Sequence, residues 1–319
     1  MKRQKTNYFQ QSKNMLRKKY FSILAFLFLV IFAQAQNQTD TALVFTHLKR
    51  LTEEVRNYNN ITQLNQTAKY IETVFRKYSD SIFIQDFVVN GHVYKNVICS
   101  FGVEHIRRVI VGAHYDVYAN QEGADDNASG VVALLELARQ LKGQKLNFRV
   151  DLVAYSLEEP PFFRSELMGS YIHAKYLKDK EIDVYGVVAV EMIGYFKDEK
   201  KTQDYPIGMM SLFYGSKGNY ISLVRKFGSG KFARKFGRKF KSSKVIRTKK
   251  LSAPKFIPGI DFSDHLNYWK FGYSALMITD TAFYRNKNYH KTGDTLSTLD
   301  IPRMALVIDG IFRALVALK

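Results

Sequence analysis

Residues 109–141 read VIVGAHYDVYANQEGADDNASGVVALLELARQL. The run from Arg108 to His114 is β-branched and apolar and ends at His114-Tyr115-Asp116, the pattern of a buried strand that delivers His114 and Asp116 to the carboxyl edge of a sheet. A Gly/Asp/Asn-rich turn, GADDNASG, follows, and from Gly130 onward Val131, Leu134, Leu135, Leu137, Ala138 and Leu141 recur at helical spacing. Strand, acidic loop and helix in this order make an α/β chain. Open α/β sheets bind ligands where such loops leave the strand ends. One imidazole and two carboxylates at that edge point to a divalent metal.

Outward from this stretch, two further strand ends carry acids. FRVDLVAYS, Phe148 to Ser156, is a buried strand that ends at Leu157-Glu158-Glu159. Adjacent side chains at a strand end point different ways, so one carboxylate can bind metal while its neighbour faces a water; an ordinary acidic loop is the plain alternative. VYGVVAVEMI, Val184 to Ile193, is apolar except for Glu191, which needs a metal, an arginine or main-chain donors to sit there. Near the end, YRNKNYHKTGDTLSTLD sets Tyr289 and His290 in a polar loop, where a histidine by itself reads as merely exposed. The set changes that reading: His114, Asp126, Glu159, Glu191 and His290 all fall at strand ends or loops. Nitrogen and carboxylate donors are what zinc accepts, and one bridging carboxylate with two further ligands per ion makes a two-metal site.

The remaining chain supplies the frame. Residues 40–78 read as two helices broken across Asn57 to Asn65; Ile82 to Val89 and Val93 to Phe101 read as a hairpin turned by Asn90-Gly91. Pro160-Pro161 forces extended backbone into an aromatic loop, Phe162 to Met168, before a helix from Gly169 to Leu177. Pro206 to Tyr214 and Tyr273 to Thr279 read as strands and Ile301 to Leu318 as a closing amphipathic helix.

A chain of 319 residues buries one sizeable core, read here as a single domain from residue 36. Residues 1–35 are set apart: a basic segment, the apolar Phe21 to Phe32, then Ala33-Gln34-Ala35, the small-x-small pattern of a cleaved secretory signal. A retained anchor is the alternative, although a dozen apolar residues fall short of the ~20 a spanning helix needs. The expected location is therefore periplasmic or extracellular. The one cysteine, Cys99, in the strand-like NVICSF, leaves no internal disulfide and reads as a small buried apolar residue.

The formal charge is +19, and residues 217–250 hold thirteen lysines and arginines with no acid. Phe227, Phe232, Phe236 and Phe240 recur there as on one face of a helix. The segment reads as a solvated basic helix packed on the sheet, or as a contact with an anionic membrane surface. No nucleic-acid motif accompanies it.

The motifs GAHYD, GADDNASG, Glu158-Glu159, EMIGY and YHKTGDTLSTLD, in this order, resemble the secreted zinc aminopeptidases of the aminopeptidase Y and bacterial leucyl aminopeptidase type, relatives of glutamate carboxypeptidase and glutaminyl cyclase. The resemblance spans roughly Asn96 to Leu318. It implies a phosphorylase/hydrolase-like α/β/α fold with a mixed sheet, peptide substrates and two zinc ions. By motif, His114 and Glu191 would hold one zinc, Glu159 and His290 the other, and Asp126 would bridge. Glu158 would be the general base, Asp116 would orient His114, and Tyr289 would bond the tetrahedral oxyanion. Members commonly have Asp where Glu191 stands, and Pro160 to Met168 is longer than the usual link. Asp125 is expected to bond the loop rather than metal, and His265, which matches no ligand motif, to be structural or pocket-lining. Arg164 and Arg285 are the arginines near these motifs, either loop-bonded or a carboxylate clamp. A cyclase-like or non-catalytic, surface-binding relative of the same fold is the alternative function.

Overall fold

Two helices open the fold and owe their starts to side-chain caps. In the computed structural model, which describes Tyr20 and residues 38–319, the carboxylate of Asp40 accepts the N–H groups of Ala42 and Leu43 at the head of α1, Thr41–Thr52. Asn60 accepts from Gln63 at the head of α2, Ile61–Phe75. Between them the Asn57 side chain takes the N–H groups of Asn59 and Asn60, which breaks the helical run where the asparagines cluster. The signal-peptide reading of residues 1–35 lies outside the described residues. Thr39–Lys319 form one compact unit, and no described helix is long and apolar enough to cross a membrane.

Strands β1, Ile82–Val89, and β2, His92–Phe101, pair antiparallel, Val89 opposite His92. Asn90 and Gly91 both take positive φ, 50° and 79°, as a two-residue hairpin turn requires. There follow β3, Arg108–His114; α3, Gly130–Leu141; β4, Arg149–Tyr155; α4, Gly169–Asp179; and β5, Val184–Glu191. The second half adds α5, Met210–Tyr214; β6, Ile221–Lys226; α6, Gly230–Ser242; β7, Thr248–Ala253; α7, His265–Lys270; β8, Ala275–Thr279; and α8, Ile301–Val316.

The eight strands form one mixed sheet in the order β1-β2-β4-β3-β5-β8-β6-β7. Its four central strands, β4, β3, β5 and β8, are mutually parallel. Because side chains alternate across a strand, Val109, Val111, Leu152, Val188 and Ile278 turn to a core shared with α1, α2, α3, α6 and α8. Ile110, Val153, Val187, Ala189 and Met277 turn to a second core under α4 and α7. This is the expected three-layer α/β/α architecture. All four parallel carboxyl ends open on one edge.

Two sequence expectations fail at the periphery. Pro206 to Tyr214 holds the short helix α5 rather than a strand, and its Leu212 and Phe213 are exposed, so its apolar content reports surface, not core. The basic segment is not one helix: it contributes β6 and the edge strand β7 on either side of α6. An edge strand packed on one side has no apolar run to betray it, and TKKLSA in β7 shows none. Phe232, Phe236 and Phe240 of α6 are buried as the spacing required, but Phe227 lies before the helix and is 63% exposed.

Candidate metal centre

His114 closes β3, Glu158 and Glu159 follow β4, Glu191 closes β5, and Asp126 sits in the loop between β3 and α3. His290 arrives from the loop after β8. The backbone bends sharply to aim these groups: Leu157 before the Glu pair, Met192 after Glu191, and His290 itself adopt left-handed φ of 62°, 46° and 56°. Each such residue costs on the order of 1–3 kcal/mol, a conformational cost that clusters at functional sites.

Hydrogen bonding fixes the acidic loop from every side. Asn127 accepts the N–H groups of Gly130 and Met192 and donates to the carbonyl of Val190, tying the loop to the end of β5. Gly130 must be glycine, because a Cβ there would lie 2.4 Å from Oδ1 of Asn127 and 2.6 Å from the carbonyl of Val190. Asp294 accepts the N–H groups of Asp125 and Asp126. Asp125 accepts from Gly194 and Asn286, the loop-bonding part expected of it. Beneath them the fully buried guanidinium of Arg56 donates to the carbonyls of Leu51, Tyr115, Glu122 and Gly123.

The five donors converge in two overlapping groups. His114 Nε2 lies 3.3 Å from Oε2 of Glu191 and 3.5 Å from Oδ1 of Asp126. His290 Nε2 lies 3.4 Å from the other Asp126 oxygen, Oδ2, and 3.0 Å from Oε2 of Glu159. Glu191, one methylene longer than the aspartate common in the resembling family, still reaches His114, with Oε2 receiving the Ser263 hydroxyl at 2.7 Å. Glu158 forms a third group with His114 and Glu159, its Oε2 3.9 Å from His114 Nε2. His114 Nδ1 donates to the main-chain oxygen of Asp116 at 3.2 Å, which leaves Nε2 as the atom facing the acids. The Asp116 carboxylate lies 3.7 Å from that ring and instead receives the N–H groups of Glu158 and Glu159. Asp116 thus positions the acid pair as well as the histidine.

Electrostatics show what the cluster demands. Burial opposes it, but Glu191 and Glu158 drive the pKa of His114 well up, and Asp126 and Glu159 raise His290 to about 10. Burial and the neighbouring Asp126 push Glu159 up to about 8; burial, Glu159 and Glu191 raise Glu158, against the lowering pull of His114. Both trends express a crowd of buried carboxylates short of positive charge. Asp126 Oδ2, Glu159 Oε1 and His290 Nε2 are buried without a hydrogen-bond partner, even though His290 and Glu159 nearly touch. Donor atoms that crowd together without bonding to one another fit a shared cation, and the mixed imidazole and carboxylate set suits zinc.

The sequence missed several supporting groups. Tyr118 stacks on His290 at 4.2 Å and Tyr289 stacks on it at 3.9 Å, so the imidazole is held by two rings. A tyrosine in a loop gives no such signal in advance, and neither does Arg56, a lone arginine after a helix. Arg285 is buried and spent on Gln203 and the carbonyls of Tyr195 and Tyr220, while Arg164 pairs with both oxygens of Asp261. His265 is buried, with Nε2 on the carbonyl of Ile260, a structural position. The cleft over the donors shares Glu191, Phe262, Ala282 and Phe283 with an apolar cavity beside it.

The sequence signature of peptidase family M28 matches residues 96–315. The uncharacterized protein YfbL of Escherichia coli K12 is 44% identical over 278 residues, 84% of this chain and 85% of its own length. Leucine aminopeptidase 1 of Ajellomyces capsulatus is 27% identical over 225 residues, 66% of this chain but 52% of that protein, so the chain spans about half the length of this relative. Two solved structures from Bacteroides thetaiotaomicron share the fold. A leucine aminopeptidase precursor superposes with a TM-score of 0.68 at 17% identity, over 89% of this chain and 99% of that one. A glutaminyl cyclase bound to N-acetylhistamine superposes with 0.65 at 17% identity, over 88% and 99%.

Proposed function

The chain belongs to peptidase family M28, and on that premise we propose that it is an exported di-zinc aminopeptidase, acting in the periplasm or outside the cell on the first peptide bond of unblocked peptides. The observation that carries this reading is the Asp126 carboxylate, whose two oxygens face different histidines, Oδ1 toward His114 and Oδ2 toward His290. One carboxylate shared between two donor groups is what a pair of ions needs. His114 and Glu191 would hold one zinc, Glu159 and His290 the other.

Zinc bound there would polarise the scissile carbonyl and lower the pKa of the attacking water. Glu158, which borders the donors beside His114 and Glu159, takes that water's proton and returns it to the leaving amine. Tyr289 donates its hydroxyl to the carbonyl oxygen as negative charge builds there. Burial and the carboxylates of Asp126, Glu159, Glu158 and Glu191 raise its pKa, which keeps the proton available. The apolar cavity beside the cleft would take the side chain of the first residue, in keeping with the leucine aminopeptidase relatives.

Substrate polarity follows from the arginines. A carboxypeptidase needs a cationic fork for the terminal carboxylate, and both nearby candidates are already committed, Arg164 to Asp261 and Arg285 to main-chain carbonyls. The surplus of acids suits a substrate ammonium. The test offers the zinc-loaded chain one peptide in free, amino-terminally acetylated and carboxyl-amidated forms. Release of the first amino acid from the free and amidated forms is expected; cleavage of the acetylated form with rejection of the amidated one would sink the assignment.

A further inference from the structure

We propose that the sheet edge formed by β6, β7 and α6 docks on a membrane surface rich in anionic phospholipid headgroups. A groove runs between α6 and the strands. Arg225 of β6, Lys250 of β7, and Arg234 and Arg238 of α6 line it over an aliphatic floor that includes Leu223 and Leu276. The register explains the convergence: Lys250 pairs with Leu223, so it shares the face that α6 flanks, and Arg234 and Arg238 are one helical turn apart. Among the described residues none of these four cations has a hydrogen-bond or carboxylate partner. Burial and then the neighbouring cations hold Arg225 and Lys250 below their ordinary pKa, the mark of positive charge left uncompensated.

The floor is aliphatic and offers no aromatic platform for stacked bases, which argues against a single-stranded nucleic acid. Apolar side chains at the end of the same strands argue for lipid. Phe227 is 63% and Phe256 78% exposed, and the N–H of Phe227 bonds the carbonyl of Ala253, so both leave the sheet at one end, beside Lys226 and Lys255. Exposed rings next to lysines that have no carboxylate partner among the described residues match the apolar boundary and charged surface of an anionic leaflet. Because β6 runs antiparallel to β8, the end of β6 at Phe227 lies opposite the strand ends that carry the metal donors.

The experiment uses residues 36–319, which include the compact unit with both hydrophobic cores, so that the apolar residues 21–32 add no membrane affinity of their own. Co-sedimentation is measured with vesicles of phosphatidylcholine alone and of phosphatidylcholine mixed equally with phosphatidylglycerol. Binding to the mixed vesicles only is expected, with loss at about 1 M salt, where screening acts over ~3 Å. Arg234→Glu/Arg238→Glu should weaken it at least tenfold, since each cation near such a surface is worth roughly a fivefold change in partition. Phe227→Ser/Phe256→Ser should weaken it without altering the salt slope. All four substitutions fall at exposed side chains, and a wild-type melting curve verifies each fold. Equal binding to both vesicle types, binding indifferent to the charge reversals, or no binding would overturn the proposal. So would capture of an oligonucleotide or polyphosphate in place of vesicles, which would make the groove a site for a soluble polyanion.

Discussion

Asp116 holds Glu158 by its main chain: Oδ1 of Asp116 accepts the Glu158 N–H at 3.1 Å, while Oδ2 accepts the next N–H, that of Glu159, at 3.1 Å. One buried carboxylate therefore sets the position of both the proposed base and a proposed zinc ligand. Asp116→Asn can replace only one of these acceptors. We expect a ~10–100-fold loss, shared between kcat and zinc affinity, as supporting residues around metal sites typically give. Steady-state kinetics and zinc titration check it; wild-type values for both would show that the acid pair is held by other means.

Glu158→Gln keeps the side-chain volume and cannot accept a proton. Zinc content should stay at wild type while kcat falls ~100–10,000 fold. A variant that hydrolyses aminoacyl anilides at the original rate would assign the base elsewhere, and Asp264, buried with both carboxylate oxygens unbonded, would be the next candidate.

Asp126→Asn removes charge from the residue shared by both donor groups. Both ions should be lost together, because a neutral amide is a poor bridge between two dications. Elemental analysis after gel filtration reads the result directly. Two zinc ions per chain in the variant would refute a bridging role for Asp126.

Three of the proposed donors, His114, Glu159 and Glu191, were legible in the sequence because they end or closely follow apolar strands, where an uncompensated charge has few explanations, whereas Asp126 and His290 lie in loops and were legible only through the set. His114 and Glu191 show this most clearly, since β3 and β5 are buried runs that stop at a polar side chain. What escaped notice was what neighbours in space contribute. Tyr118 and His290 lie far apart in the chain yet stack, and Arg56 reaches the acidic loop across more than fifty residues. Neither contact leaves a local pattern. The outer strands β6 and β7 escaped for another reason: their periodicity is diluted by lysines and arginines that serve the surface rather than the core.

The buried histidines away from the centre supply a test of the core in acid. His173 donates or accepts through Nδ1 with the Tyr268 hydroxyl at 2.6 Å inside the second core, and burial lowers its pKa to about 4. An unfolded chain protonates histidine near 6.5, so between about pH 6.5 and pH 4 the unfolded state binds the proton and the folded state does not. Stability attributable to this residue is therefore intact above pH 7 and declines as the pH falls through that window, by roughly 2 kcal/mol at pH 5. The titrating carboxylates of the metal centre act over overlapping ranges, so the useful quantity is the difference between wild type and His173→Gln, in which they cancel. That difference, from urea unfolding at fixed zinc concentration, should shift in favour of the variant by about 2 kcal/mol between pH 7.5 and pH 5. A difference that stays constant over this range would mean that His173 is protonated in the folded chain, and that the pocket around Tyr268 admits charge or water.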